Sequence, residues 1–327
     1  MNQLLSDTLA DTSVQPAIAL SETVSCNLCG SSEQQIVLVG PDRLHHLPGQ
    51  FTLVRCVACG LIYQSPRVAP DAIGSLYPPS YEPFQSSVPD AGYIPRDIRK
   101  TAAFVNAQRA SGGRLLDVGC GAGDFLAAMR QLFPAWQLSG VEPNEAAVMR
   151  AQARGLDVRR GSLEDVPLDG LRPDVVTLWN VLEHLADPLA FLREIERRMA
   201  ADGALCLAVP VNDSWEARLF GPYWVGWELP RHLYGFDQRS IARLLEAAGF
   251  TIVRQACLSG IYHGLVRSSM LALEANVRSY ALRRAAERAL LSQPLRAVFK
   301  PYMLLAERAR RGTVLTIAAR RTSEVAG

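Results

Sequence analysis

The stretch RLLDVGCGAGDFLAAMRQLF, residues 114–133, reads as a strand, a turn and a helix in immediate succession. Gly119, Gly121 and Gly123 occupy every second position of the turn. Glycine accepts a left-handed backbone and brings no side chain, so such a turn can run close to a ligand. A strand feeding directly into a helix through a tight glycine turn is the opening unit of a parallel, helix-covered sheet.

The rest of the chain continues that pattern. Strands are expected at 136–142, 156–160, 173–179, 204–209, 250–257 and 313–319, with helices at 144–154, 187–200 and 237–248 between them. The implied fold class is α/β, a Rossmann-like sheet with helices on both faces, occupying residues 96–320. Ligands of such sheets sit at the carboxyl ends of the strands. The dinucleotide fingerprint G-x-G-x-x-G would place a third glycine where Asp124 stands, so the turn is not built to wrap a pyrophosphate.

Ahead of this unit stand two CxxC-Gly turns, CNLCG with Cys26 and Cys29 and CVACG with Cys56 and Cys59. Each turn presents two sulfurs to one side of an ion, and the paired form predicts a four-thiolate zinc site in a ribbon spanning 21–70. A disulfide or coincidence is the alternative. His45 and His46 lie on the intervening loop and read as exposed. The chain carries seven cysteines and opens without a basic, apolar leader, which points to a reducing, cytoplasmic setting. Cys120, Cys206 and Cys257 read as small core residues. Three arginines and three acids between Ser21 and Pro70 cancel, so the ribbon lacks the basic face of a nucleic-acid reader. Residues 1–20 read as a disordered lead-in, and 71–95, with LYPPSYEPF, as a linker that packs along the next domain.

The strand ends carry the remaining chemistry. Glu142 closes the second strand of the sheet, where a carboxylate can accept from both hydroxyls of a ribose. Ser162 or Glu164 follows the third, within reach of an adenine ring. The fourth ends in NVLEHLADP. Asp117-Gly-Cys-Gly-Ala-Gly, Glu142 and NVLEHLADP together resemble the class I S-adenosylmethionine-dependent methyltransferases over about residues 96–260. The resemblance implies that Asp117, Gly119, Gly121 and Gly123 hold the methionine half of the cofactor, Glu142 the ribose, and Asn180 the sulfonium side. Ser162 departs from the aspartate that many relatives present to the adenine. The four-cysteine ribbon is also partly similar to that of zinc-bearing C-methyltransferases acting on nucleotide-linked deoxysugars, although the further C-terminal domain of those enzymes is not evident here.

Two insertions mark the acceptor side. Residues 210–237 hold seven of the 24 aromatic residues, and Tyr223, Trp224 and Trp227 are candidates for a substrate pocket wall. His232, in that segment, and His184, in LEHL, are the candidate general bases; the greater freedom of the insert favours His232. Residues 261–312 carry ten Lys or Arg and three Glu, a basic helical insert suited to a solvated face or to peripheral contact with an anionic membrane. The expected activity is methyl transfer to an O or C nucleophile of a small or carrier-linked metabolite, such as a sugar. An RNA methyltransferase and a catalytically inactive adaptor binding zinc and cofactor are the alternatives. The oligomeric state is not set by any of these features.

Overall fold

The computed structural model describes residues 22–78, 81, 84–85, 93–163 and 172–322. The lead-in 1–20, Glu164 and much of 79–92 lie outside the described residues. Two sheets organise the rest. The larger has seven strands: β4 (Arg114–Val118), β5 (Gln137–Glu142), β6 (Val158–Arg160), β7 (Val175–Trp179), β8 (Ala204–Pro210), β10 (Phe250–Ala256) and β11 (Val314–Arg321). Their order is β10-β11-β8-β7-β4-β5-β6. The last five in that order are parallel, and β11 runs antiparallel to both neighbours. The chain starts at β4, winds outward to β6, then crosses back to β7. The strand order therefore reverses between β4 and β7, which opens a crevice at their carboxyl ends.

The helices expected between the strands form close to their expected places. Helix α1 (Arg96–Asn106) precedes the sheet; α2 (Asp124–Leu132), α3 (Glu145–Ala153), α4 (Pro188–Arg198) and α6 (Gln238–Ala247) connect its strands. Side chains that accept from free N–H groups start three of these: Asn144 for α3, Asp187 for α4 and Asp237 for α6. One core, with Ala102, Phe125, Met129 and Val148, covers one face of the sheet. The other joins Leu192, Ile195, Ile241 and Leu244 with Cys26, Val54, Cys56 and Tyr63. The cysteine-bearing segment is thus continuous with the main core. Asn27 donates to Asp187 at 2.8 Å and Arg243 donates to the Cys59 carbonyl at 3.1 Å, fastening the segment to α4 and α6.

The smaller sheet has the order β1-β2-β3-β9. Strands β1 (Gln34–Gly40), β2 (Phe51–Cys56) and β3 (Ile62–Gln64) come from the N-terminal ribbon, but β9 is Tyr234–Gly235 from the aromatic insert. The insert also forms helix α5 (Trp215–Phe220) and short 3₁₀ turns through Trp227. Residues 261–312 fold as α7 (Ile261–Asn276), α8 (Tyr280–Leu290), α9 (Gln293–Val298) and α10 (Lys300–Ala309). Helix α7 buries Ile261, Leu265, Val266 and Leu271, whereas α8 and α9 bury no residue. Among the described residues no helix is long and apolar enough to cross a membrane.

Candidate active site

The glycine turn after β4 takes the conformation its composition demands. Gly119, Gly121 and Gly123 have φ of 71°, 54° and 81°. A Cβ at Gly119 would stand 2.6 Å from a methyl of Val181, so this turn abuts the loop that follows β7. Glu142 ties the turn to the next strand: its Oε2 accepts from the Gly121 N–H at 2.9 Å and its Oε1 from Asn144 N–H at 2.8 Å. Burial holds the Glu142 carboxyl above its ordinary range, against the pull of those two N–H groups. Asp117 lies fully inside. Its Oδ1 accepts from the Thr177 hydroxyl at 2.6 Å, while Oδ2 has no hydrogen-bond partner among the described residues. Burial, partly offset by Thr177 and reinforced by Glu142, pushes Asp117 up to about 7. A buried oxygen left open beside a three-glycine turn fits an incoming ammonium group, and each Glu142 oxygen keeps a lone pair for a hydroxyl donor. Asn180, at the end of β7, has a left-handed φ of 53° and its N–H donates to Ala208. Ser162 is partly buried after β6.

The four cysteines come together. Their sulfurs lie within 4.8 Å of one another, with Cys26–Cys59 at 3.4 Å and Cys29–Cys56 at 3.5 Å. Tetrahedral zinc at a Zn–S distance of about 2.3 Å separates its sulfurs by about 3.8 Å, so the donor set matches in number, type and spacing. Neither close pair approaches the S–S bond length of about 2.05 Å. The two turns are built alike: Gly30 and Gly60 carry φ of 76° and 83° and return N–H bonds to the carbonyls of Cys26 and Cys56. Burial raises the Cys26 thiol. At Cys56 burial is outweighed by the Cys59 N–H and the Cys29 and Cys59 thiols, which bring it down to about 7.

The two histidines also meet, with ring centroids 4.6 Å apart and nearly perpendicular. His184 follows β7 directly, in a short 3₁₀ turn from Leu182. His232 is 6% exposed, and its Nδ1 lies 2.8 Å from the Gly226 carbonyl. Burial pulls His232 down to about 4 and, with the neighbouring His232 adding to it, His184 to about 3. Around them stand residues that the sequence did not single out. Glu183 is 1% exposed and its Oε1 is 4.0 Å from His232 Nε2. Glu228 places Oε2 3.5 Å from the same nitrogen. Tyr77 and Tyr81, from the expected linker, reach His184 Nδ1 at 2.8 Å and Glu228 Oε1 at 3.1 Å through their hydroxyls. The Pro- and Tyr-rich composition of that segment was the available signal.

The aromatic candidates divide. Trp224 is 2% exposed and packs edge-on against Trp227 at 5.1 Å. Both line an open cleft shared with Arg43, Leu44, Glu228 and Leu229. Tyr223 sits under the Arg43 guanidinium, 4.7 Å away. Trp227 is fixed by donating from Nε1 to the Gly221 carbonyl at 3.0 Å, while Trp224 Nε1 has no partner among the described residues.

The model of a family described as a methyltransferase domain matches residues 91–255. The chain belongs to that methyltransferase family. A probable S-adenosylmethionine-dependent methyltransferase of Mycolicibacterium smegmatis is 29% identical over 163 residues, covering 48% of this chain and 58% of that protein. A ubiquinone biosynthesis O-methyltransferase of Cereibacter sphaeroides is 35% identical over 134 residues, covering 39% of this chain and 54% of that protein. The chain thus spans little more than half the length of these relatives. Among solved structures, the 1,6-didemethyltoxoflavin-N1-methyltransferase of Burkholderia thailandensis aligns with a TM-score of 0.48 at 17% identity, over 85% of this chain and 98% of that one.

Proposed function

We propose that this chain transfers a methyl group from S-adenosylmethionine to an oxygen or carbon nucleophile of a small or carrier-linked metabolite, with oxygen favoured by the named O-methyltransferase among its relatives. Bound at the glycine turn, the cofactor supplies an electrophilic methyl on a sulfonium. Asp117 and Gly119–Gly123 would hold its methionine half, Glu142 its ribose, Ser162 its adenine edge and Asn180 the sulfonium side. The four-cysteine zinc would brace the ribbon that helps to build the acceptor side.

One observation carries the acceptor reading. Glu228 belongs both to the wall of the aromatic cleft and to the histidine cluster that follows β7. An acceptor held by Trp224, Trp227 and Arg43, with Tyr223 behind Arg43, would present its reacting atom to His232. With Nδ1 donating to Gly226, His232 keeps its Nε2 lone pair for the acceptor's proton. The cofactor would supply the methyl carbon and retain the departing electron pair on its sulfur, while His232 would take the acceptor's proton. What the side chains contribute is alignment and removal of that proton.

The test has two arms. Titration of Glu142→Ala with S-adenosylhomocysteine should show binding weakened by roughly 1.5–3 kcal/mol, the loss of a charge-assisted contact; unchanged affinity places the cofactor elsewhere. Labelled cofactor incubated with a fractionated cell extract should mark a small or carrier-linked product, and His232→Ala should cut that turnover by about 10²–10⁴-fold with cofactor affinity kept. Label appearing in RNA would support the RNA reading instead.

A further inference from the structure

The cluster after β7 has a donor set that a proton acceptor alone does not require. Glu183 is buried with both carboxylate oxygens lacking a hydrogen-bond partner among the described residues. An ionised carboxylate left in that state is costly, and a buried orphan pair of oxygens calls for a group to fill it. Beside it, both imidazoles turn the same atom to a backbone carbonyl: His232 Nδ1 to Gly226 at 2.8 Å and His184 Nδ1 to Arg231 at 3.1 Å. A carbonyl oxygen accepts only, so His232 Nδ1 carries the proton, and His184 Nδ1 carries it in the tautomer that donates to Arg231, with the Tyr77 hydroxyl 2.8 Å away accepting from the same N–H. Each Nε2 is then left with a lone pair. Histidines that bind metals are held in this manner, with the second ring N–H spent on a carbonyl or carboxylate.

We propose that Glu183, His184 and His232 form a second metal site, distinct from the cysteine site, that takes a divalent first-row cation through two imidazole nitrogens and one carboxylate. One ligand atom from each of the three residues lies within 4.8 Å of the others. Cis ligands about 2.1 Å from a metal stand about 3 Å apart, so side-chain adjustments of about 1 Å close the set. Two imidazoles and a carboxylate suit Mn, Fe, Co, Ni or Zn better than Ca or Mg. Three protein ligands leave coordination positions open, the arrangement of catalytic rather than structural sites.

The role follows from the location and rests on the methyltransferase reading above. A cation here would bind the acceptor's hydroxyl oxygen and lower its pKa, so that the proton leaves before or during transfer. With His232 engaged by the metal, that proton passes to Glu228, whose Oε2 lies 3.5 Å from His232 Nε2. The acceptor is then narrowed to an oxygen nucleophile, a hydroxyl or phenol able to ligate the cation.

The experiment uses the full chain with its cysteine site filled by zinc and Mn²⁺ as the probe, because thiolates disfavour Mn²⁺. Mn²⁺ titration followed by electron paramagnetic resonance should give one bound ion per chain. Glu183→Gln, which keeps the shape, should weaken that binding by at least about tenfold, and His184→Asn should act likewise. Affinity for S-adenosylhomocysteine should stay at the parent value in both variants, which also certifies their folding. No Mn²⁺ binding by the parent, or equal binding by the correctly folded Glu183→Gln, overturns the metal site and leaves His232 as an ordinary base. Loss of S-adenosylhomocysteine binding by the parent would instead refute the methyltransferase reading, whatever the metal result.

Discussion

Arg231 and Asp42 stand 189 positions apart in the chain and meet as a two-pronged ion pair, Nη1 to Oδ2 at 2.9 Å and Nη2 to Oδ1 at 2.8 Å, with both side chains fully buried. Burial opposes the Asp42 charge, yet the Arg231 guanidinium and the N–H groups of His45 and Leu44 hold its carboxyl below the ordinary range. The pair joins the ribbon to the residue that precedes His232. Removing one partner of such a pair leaves an uncompensated buried charge, typically at a cost of about 3–5 kcal/mol. Asp42→Ala should therefore lower the urea midpoint steeply, and the double variant Asp42→Leu with Arg231→Met should recover much of the loss. A single variant of parental stability would refute this account of the junction.

That junction marks the boundary of what the sequence disclosed. The sheet from Arg114 onward was legible because its strands are short apolar runs bounded by turns, and because Asp117, Gly119 and Glu142 fall at strand ends. The paired CxxC turns were legible because their local geometry requires only four or five residues each. Contacts between distant segments were not. Strand β9 has two residues, Tyr234 and Gly235, and gains its identity only by pairing with Ile62 and Tyr63. Tyr77 reaches His184 across 107 positions; the Pro- and Tyr-rich composition of LYPPSYEPF marks the segment but not its partner. Glu183 stood in view within LEHL, but its significance depends on the lack of a partner, which composition cannot show.

The cysteine site should behave as part of the main fold and not as an appendage. Cys26 and Cys56 share a core with Leu192 and Ile241, so loss of the ion exposes that core to water. Metal analysis should find zinc bound by the four thiols, and Cys56→Ser should release it. Chelation should then lower the melting temperature of the whole chain in one transition. A chelated protein that melts as before would show that the thiols carry no structural ion.

Asp117 supplies a pH dependence whose sign is fixed by its burial. Its folded-state value of about 7 lies above the unfolded value of 3.8. Between those two values the folded chain holds a proton that the unfolded chain has released. The stability this proton confers is present below about pH 4 and is lost as pH rises through about 7. The ammonium of a cofactor held as proposed would work in the opposite direction, since it would pair with the ionised carboxylate. S-adenosylhomocysteine should thus bind more tightly as pH rises through about 7, and more weakly as it falls, approaching tenfold per unit. Asp117→Asn should flatten both profiles, measured by thermal denaturation without ligand and by calorimetric titration with it. Parallel pH profiles for parent and variant would remove Asp117 from the cofactor site.

The basic helices offer a surface of defined chemistry. The segment from α8 to α10 exposes Tyr280, Leu282, Leu291, Val298, Leu304 and Leu305. Arg284, Arg288, Arg296, Lys300 and Arg308 are exposed on the same helices. Apolar side chains interspersed with cations suit the interface of an anionic bilayer, where each cation near the surface contributes about 1 kcal/mol. Vesicles of phosphatidylcholine with added phosphatidylserine should sediment the protein, and phosphatidylcholine alone should not. Added salt should reverse the binding by screening. Replacing Arg284, Arg288 and Arg296 with glutamine should remove the lipid preference, and Leu291→Asp with Leu305→Asp should weaken binding at any salt concentration. None of these changes touches the glycine turn or the histidine cluster, so S-adenosylhomocysteine affinity should hold. Sedimentation with neither vesicle type would assign this arm to a solvated face, and equal sedimentation with both would refute the role given to its cations.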